Sequence, residues 1–191
     1  MLNTVNLGRR RLLAASGTAT LSASAVTLLA GCGTAMARPD MSSKDVDILN
    51  VALGLEHEAI NAYQLGAQSG LLQKPVLNVA LLFQSHHKGH RDALIATIDK
   101  MGGQPVVAKS LGEYATALEA DTLKSQADVL KLAARLELGA TNAYLGVIPS
   151  FQDSHLAKVA ARVAADETMH WTALAGVLGR PLPTSALTFG A

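Results

Sequence analysis

Residues 52–63 read Ala52-Leu53-Gly54-Leu55-Glu56-His57-Glu58-Ala59-Ile60-Asn61-Ala62-Tyr63. Residues 133–144 read Ala133-Ala134-Arg135-Leu136-Glu137-Leu138-Gly139-Ala140-Thr141-Asn142-Ala143-Tyr144. Seven of the twelve pairs are identical at an offset of 81, so the two stretches read as copies. Ala52, Glu56, Ala59 and Tyr63 follow i, i+4, i+7 and i+11, which is one face of a helix. Ala133, Glu137, Ala140 and Tyr144 repeat the row. Each glutamate therefore lies inside an apolar seam.

A weaker echo follows. At an offset of 80, His87–Leu94 falls on Glu167–Leu174, with His90/His170, Ala93/Ala173 and Leu94/Leu174 identical. The rows are Phe83, His87, His90, Leu94 and Val163, Glu167, His170, Leu174. Four helices thus each carry polar groups mid-seam, in two hairpins related by a pseudo-twofold axis. Unpaired, four such clusters in one core would cost several kcal/mol each. A cation shared by all four removes that cost.

The segments around the rows predict an all-α fold of four long helices. The first follows Ser42 or Ser43 as cap, with Asp45 and Asp47 in its first turn, and ends near Gly66–Gly70. The second runs from Pro75 to Met101 and stops at Gly102-Gly103. The third runs from Ser125 to Val147, and the fourth from Asp153 to Leu178. The first and third connections are short, so each pair is an antiparallel hairpin. The middle connection is about twenty residues and reaches roughly 65–70 Å when extended, against roughly 37 Å for a 25-residue helix. It can cross the bundle, with a short helical turn near Leu111–Leu118, or make a loose excursion.

Composition agrees. Of 191 residues 49% are apolar and only 4% aromatic, a core of Ala, Leu and Val that suits close-packed helices. A net charge of +1 gives no basic field for nucleic acid. The lone cysteine, Cys32, excludes an internal disulfide framework and a Cys-rich metal site. No phosphate loop, catalytic Ser or Cys, or dinucleotide motif is present.

Residues 1–31 read as an export signal, 32–42 as a tether, 43–180 as the bundle and 181–191 as a tail. Gly8-Arg9-Arg10-Arg11-Leu12-Leu13 resembles a twin-arginine signal. Leu29-Ala30-Gly31-Cys32 resembles a lipobox, with lipidation at Cys32; cleavage after Ala35-Met36-Ala37 is the alternative. Removing residues 1–31 takes three arginines and no acid, leaving −2. The expected location is the periplasmic face of a bacterial envelope, held by a lipid anchor.

Glu56-x-x-Ala59 with Tyr63, Glu137-x-x-Ala140 with Tyr144, and Glu167-x-x-His170 resemble the first, third and fourth helices of ferritin-like proteins. The resemblance covers about residues 43–178. It implies a four-helix bundle with two metal ions, iron or manganese, and ligands Glu56, His87, His90, Glu137, Glu167 and His170. By the same resemblance His90 and His170 are terminal ligands, Glu167 a bridge, and Glu56 and Glu137 terminal or bridging.

The departure lies on the second helix, where the family has Glu-x-x-His and this chain has His87-x-x-His90. An imidazole binds one metal where a carboxylate bridges two. Three carboxylates against two divalent ions leave a net +1 before water or hydroxide. That predicts weaker affinity, a higher potential, or a shift toward zinc or copper. His86 leaves the register open, because His86-x-x-x-His90 also shares a face.

Other residues take plainer readings. Glu58 reads as surface, His57 flanks the seam, and His155 opens the fourth helix in solvent. Tyr63 and Tyr144 read as core residues whose hydroxyls bond a carboxylate. Trp171 packs between helices. The resemblance implies iron oxidation, or consumption of peroxide or oxygen. The alternatives are a periplasmic metal binder or buffer without turnover, and a metal-free interaction bundle. Expected partners are metal ions, peroxide or oxygen, and the membrane through the anchor alone; a homodimer stays open.

Overall fold

The computed structural model describes residues 41–189. The export signal and Cys32 lie outside the described residues, as does residues 32–40 of the tether. Four long helices, α1 (Met41–Gln68), α2 (Lys74–Lys100), α4 (Gln126–Val147) and α5 (Ser154–Val177), form the bundle. The short α3 (Leu111–Ala117) and 3-10 turns at Ala120–Thr122 and Ile148–Ser150 lie in the connections, and the described residues contain no strand.

Local chemistry sets the ends. Pro75 occupies the first turn of α2, where its missing N–H has no helical partner to lose. The Ser125 hydroxyl accepts from the Asp128 N–H at 3.2 Å and starts α4. The Asp153 carboxylate accepts from the His155 N–H at 2.7 Å and starts α5. α2 ends where Gly102 takes φ 77° and the Gly103 N–H reaches back to the Ile98 carbonyl at 2.9 Å. A β-carbon on Gly103 would lie 2.6 Å from Val46, so this close approach requires glycine.

The start of α1 corrects the sequence reading. The helix already includes Met41, so neither Ser42 nor Ser43 is its cap. Asp45 turns inward instead and is buried. It accepts from the Gln152 and Asp153 N–H groups at 2.9 and 3.1 Å, tying the α4–α5 turn to α1.

α1 packs on α2, α4 on α5, and α1 on α4. The α1–α4 pair is antiparallel, since Tyr63 meets Glu137 while Tyr144 meets Glu56. The crossover is strapped along α1. Asn50 donates to the Gln104 carbonyl at 3.0 Å and accepts from the Val106 N–H at 2.8 Å. His57 Nε2 lies 3.1 Å from the Val106 carbonyl. Farther on, Tyr114 and Leu118 pack with Ala62 and Leu132. The loose excursion is thereby excluded.

Besides the cluster under the crossover, two apolar clusters fill the bundle. One cluster holds Leu49, Leu53, Leu94, Ile98, Leu156 and Val163. The other holds Tyr63, Phe83, Leu130, Trp171 and Leu174, with Phe189 of the tail against Trp171 at a ring separation of 4.7 Å. Glu56, Glu137 and Glu167 stand on helical rows between the two, which places the polar layer mid-bundle.

Candidate metal centre

The seam rows converge. Glu56, His87, Glu137, Glu167 and His170 are each no more than 2% exposed, and the His90 side chain is 12% exposed. His87 Nδ1 lies 2.9 Å from Glu56 Oε2, and its Nε2 lies 3.2 Å from Glu137 Oε1. His90 Nδ1 lies 3.2 Å from Glu167 Oε1. His170 Nδ1 lies 3.2 Å from Glu167 Oε2 and 3.3 Å from Glu137 Oε2. The tyrosines cross between hairpins: Tyr63 donates to Glu137, and Tyr144 donates to Glu56 at 2.5 Å.

The outer ring nitrogens are also held. His90 Nε2 lies 3.2 Å from Asp166 Oδ2, and His170 Nε2 lies 2.9 Å from His86 Nδ1. Each supporter precedes the inward residue of its own helix and holds the histidine of the other. Asp166 was not anticipated from sequence, and His86 only as a register question. Positions 86 and 166 are related by the same offset of 80, and that was the signal available. His87, not His86, enters the cluster. His57 serves the crossover, Glu58 is half-buried and His155 is exposed.

Electrostatics here is a contest between burial and partners. Burial pushes Glu56 and Glu137 upward, but a hydrogen bond from His87 with the nearby His90 ring, and hydrogen bonds from His170 and His87, hold both below the usual carboxylate range. At Glu167 burial wins and its carboxyl is raised. Burial alone would lower the histidines. Hydrogen bonds to Glu137 and Glu56 raise His87 to about 10, and the carboxylates of Glu167 and Glu56, 3.2 and 3.6 Å from Nδ1, raise His90 to about 10. His170 is raised by Glu137 and Glu167 against its burial. Burial and the facing carboxylates raise both tyrosines, which stay protonated donors. The layer is thus a place where positive charge is strongly favoured.

Two atoms show what else fits. His90 Nδ1 and Glu167 Oε1 are buried with no hydrogen-bond partner, although only 3.2 Å apart. Two groups of four could hold metal ions: Glu56, His87, His90, Glu167 and His87, Glu137, Glu167, His170, each with donor atoms within 4.8 Å of one another. Mixed imidazole and carboxylate donors suit first-row transition metals.

The sequence pattern of the ferritin-like domain matches residues 44–180. The chain belongs to this family. A conserved hypothetical protein from Mycobacterium tuberculosis, known from a crystal structure, is similar to this ferritin-like chain with a TM-score of 0.62. The two share 23% identity over 77% of this chain and 99% of that one, a likeness of fold. No curated protein matches. Within the ferritin-like bundle, His87 and Glu167 are the residues common to both four-donor groups.

Proposed function

We propose that this ferritin-like protein holds two metal ions, iron or manganese, and works as an exported oxidoreductase acting on ferrous iron, peroxide or oxygen. The observation that carries this reading is the pair of overlapping donor sets sharing His87 and Glu167. Glu56 and His90 would serve one ion, Glu137 and His170 the other. Glu167 turns Oε1 toward His90 and Oε2 toward His170, as a bridging carboxylate does. His87 turns Nδ1 toward Glu56 and Nε2 toward Glu137, so one ring faces both positions.

A bound pair of such ions supplies one-electron steps at each metal. The chain does the rest. Asp166 and His86 fix the rings of His90 and His170, and Tyr144 and Tyr63 fix the carboxylates of Glu56 and Glu137. The apolar clusters on either side keep bulk water away. A cleft of about 550 Å³ reaches His90 past Gly89 and Asp166 and offers a path for ions and small polar oxidants. Among the described residues no helix is long and apolar enough to cross a membrane. The twin-arginine-like and lipobox-like stretches support export and anchoring through Cys32.

His87 favours a second reading, a metal buffer without turnover. It replaces a carboxylate and leaves three negative ligands where the family pattern gives four. Elemental analysis of protein purified folded from its envelope separates the two. About two equivalents of iron or manganese, with turnover of ferrous iron or peroxide, supports the oxidoreductase. A single zinc or copper without turnover supports the buffer. No metal after reconstitution overturns both.

A further inference from the structure

We propose that the apolar end of the bundle binds an aliphatic chain, in a cavity distinct from the path to His90. The cavity measures about 310 Å³ and lies between α1, α2, α4 and α5 near the α1–α2 turn. Its wall includes Gly66, Val76, Ala80, Leu130, Ala133 and Leu174. The only side-chain polar atom among its lining residues is the Tyr63 hydroxyl, which is committed to Glu137. Ordered water needs two to four polar partners, and the side chains of this wall leave none free. An apolar ligand of that size makes packing contacts with the side chains around it.

The shape of the opening narrows the class. Val79 on α2 and Val177 on α5 belong to the wall and are 43% and 64% exposed, so the cavity opens between these helices. Leu82, one turn beyond Val79, is 52% exposed. An aliphatic rim around an unpolar interior accepts a hydrocarbon chain and leaves a polar head in water. At ~30 Å³ per water-sized group, the volume takes about ten methylenes. The inner wall includes Phe83, stacked on His170 at 4.1 Å, and Tyr63, 5.5 Å from the His87 ring. A filled cavity would therefore press on rings that touch the polar layer.

The test uses the full-length protein stripped of metal, so it does not depend on the redox reading. Decanoate should bind saturably with Kd on the order of 10 μM. Octanoate should bind about tenfold more weakly, and dodecanoate no better than decanoate, because the cavity ends. Ala133→Phe and Ala173→Phe fill the space and should each weaken decanoate by at least about tenfold while leaving the melting temperature level or raised. Phosphatidylglycerol vesicles form the second arm. Plug-sensitive binding to them identifies a membrane lipid as the source, and plug-sensitive binding of decanoate alone identifies a free fatty acid. Absence of saturable binding to both overturns the proposal. So does binding indifferent to both plugs, or a dimer that the plugs dissociate, since a second copy would then be the occupant.

Discussion

The two hairpins bring nearly the same chemistry to the polar layer, and within that layer they differ at two neighbouring positions. The α1–α2 hairpin brings Glu56, His87 and His90; the α4–α5 hairpin brings Glu137, Glu167 and His170. Position 87 is an imidazole where its counterpart 167 is a carboxylate. Position 86 is an imidazole where 166 is a carboxylate. Both exchanges move negative charge into the second hairpin. The fold tolerates this because His87 still meets Glu56 and Glu137 with its two nitrogens, one contact per face. Symmetry of backbone has been kept while symmetry of charge has been given up.

The largest expected effect comes from breaking the better-held carboxylate. Glu137 accepts from Tyr63, His87 and His170, whereas Glu56 has Tyr144 and His87 as its hydrogen-bonding partners. Glu137→Ala should destabilise the metal-free chain by about 3–5 kcal/mol, because buried histidines lose their counter-charge. Glu56→Ala should cost less, and denaturant melts of the two variants rank them. Equal costs would mean the hairpins are energetically equivalent despite their charges.

Restoring the symmetric pattern is the next lever. His87→Glu should raise affinity for ferrous iron and bring the two metals to the about 3.5–4 Å spacing of carboxylate-bridged pairs. Competition binding and X-ray absorption measure both quantities.

The supporters of the outer nitrogens allow a finer comparison. Asp166→Asn should lower metal affinity by about 10–100-fold, because a carboxylate acceptor makes His90 a stronger donor. His86→Gln should cost less, since a neutral ring polarises His170 less. Isothermal titration with manganese reads both.

pH separates protons from metal as the charge in the layer. His87 and His90 are raised from 6.5 to about 10, so their stabilisation of the metal-free chain is complete below about pH 6.5. It is lost as pH rises toward 10. Metal-free protein should therefore lose stability across that window. Metal-loaded protein should hold its stability there, because rising pH removes the protons that compete with metal. Parallel thermal melts decide.

The smallest effect belongs to the strap. Asn50→Ala removes two contacts to the crossover, at Gln104 and Val106, and should cost about 1–2 kcal/mol without changing metal content. A loss of metal would show that the crossover tensions the first hairpin as well as joining it to the second.

Much of this arrangement was legible in the sequence because helical periodicity turns spacing into direction. Glu56 and Tyr63 share a seam whatever the helix packs against, and an offset of 81 carries the same statement to Glu137 and Tyr144. Which helix a side chain meets is a different matter. That Tyr63 reaches Glu137 and not Glu56 depends on how α1 and α4 are rotated against each other. Asp166 stood on the edge of its row, where a solvated acid and a histidine's support look alike. Asp45 read as a favourable charge in a first turn, but its acceptors serve N–H groups about a hundred residues away, which no local pattern records. The strap was hidden for a similar reason: His57 and Asn50 bond backbone atoms of the crossover, and backbone atoms leave no mark on composition.

The crossed tyrosines have a consequence for the history of the chain. Each copy of the repeated helix orients its own tyrosine onto the other copy's glutamate, and each donor set borrows a residue from the opposite hairpin. Neither half holds a complete centre, so neither half can be selected alone. A substitution in one copy is felt as a defect in the other. The two copies are bound to change together at these crossed contacts, which fits the recurrence of Glu56 and Tyr63 as Glu137 and Tyr144.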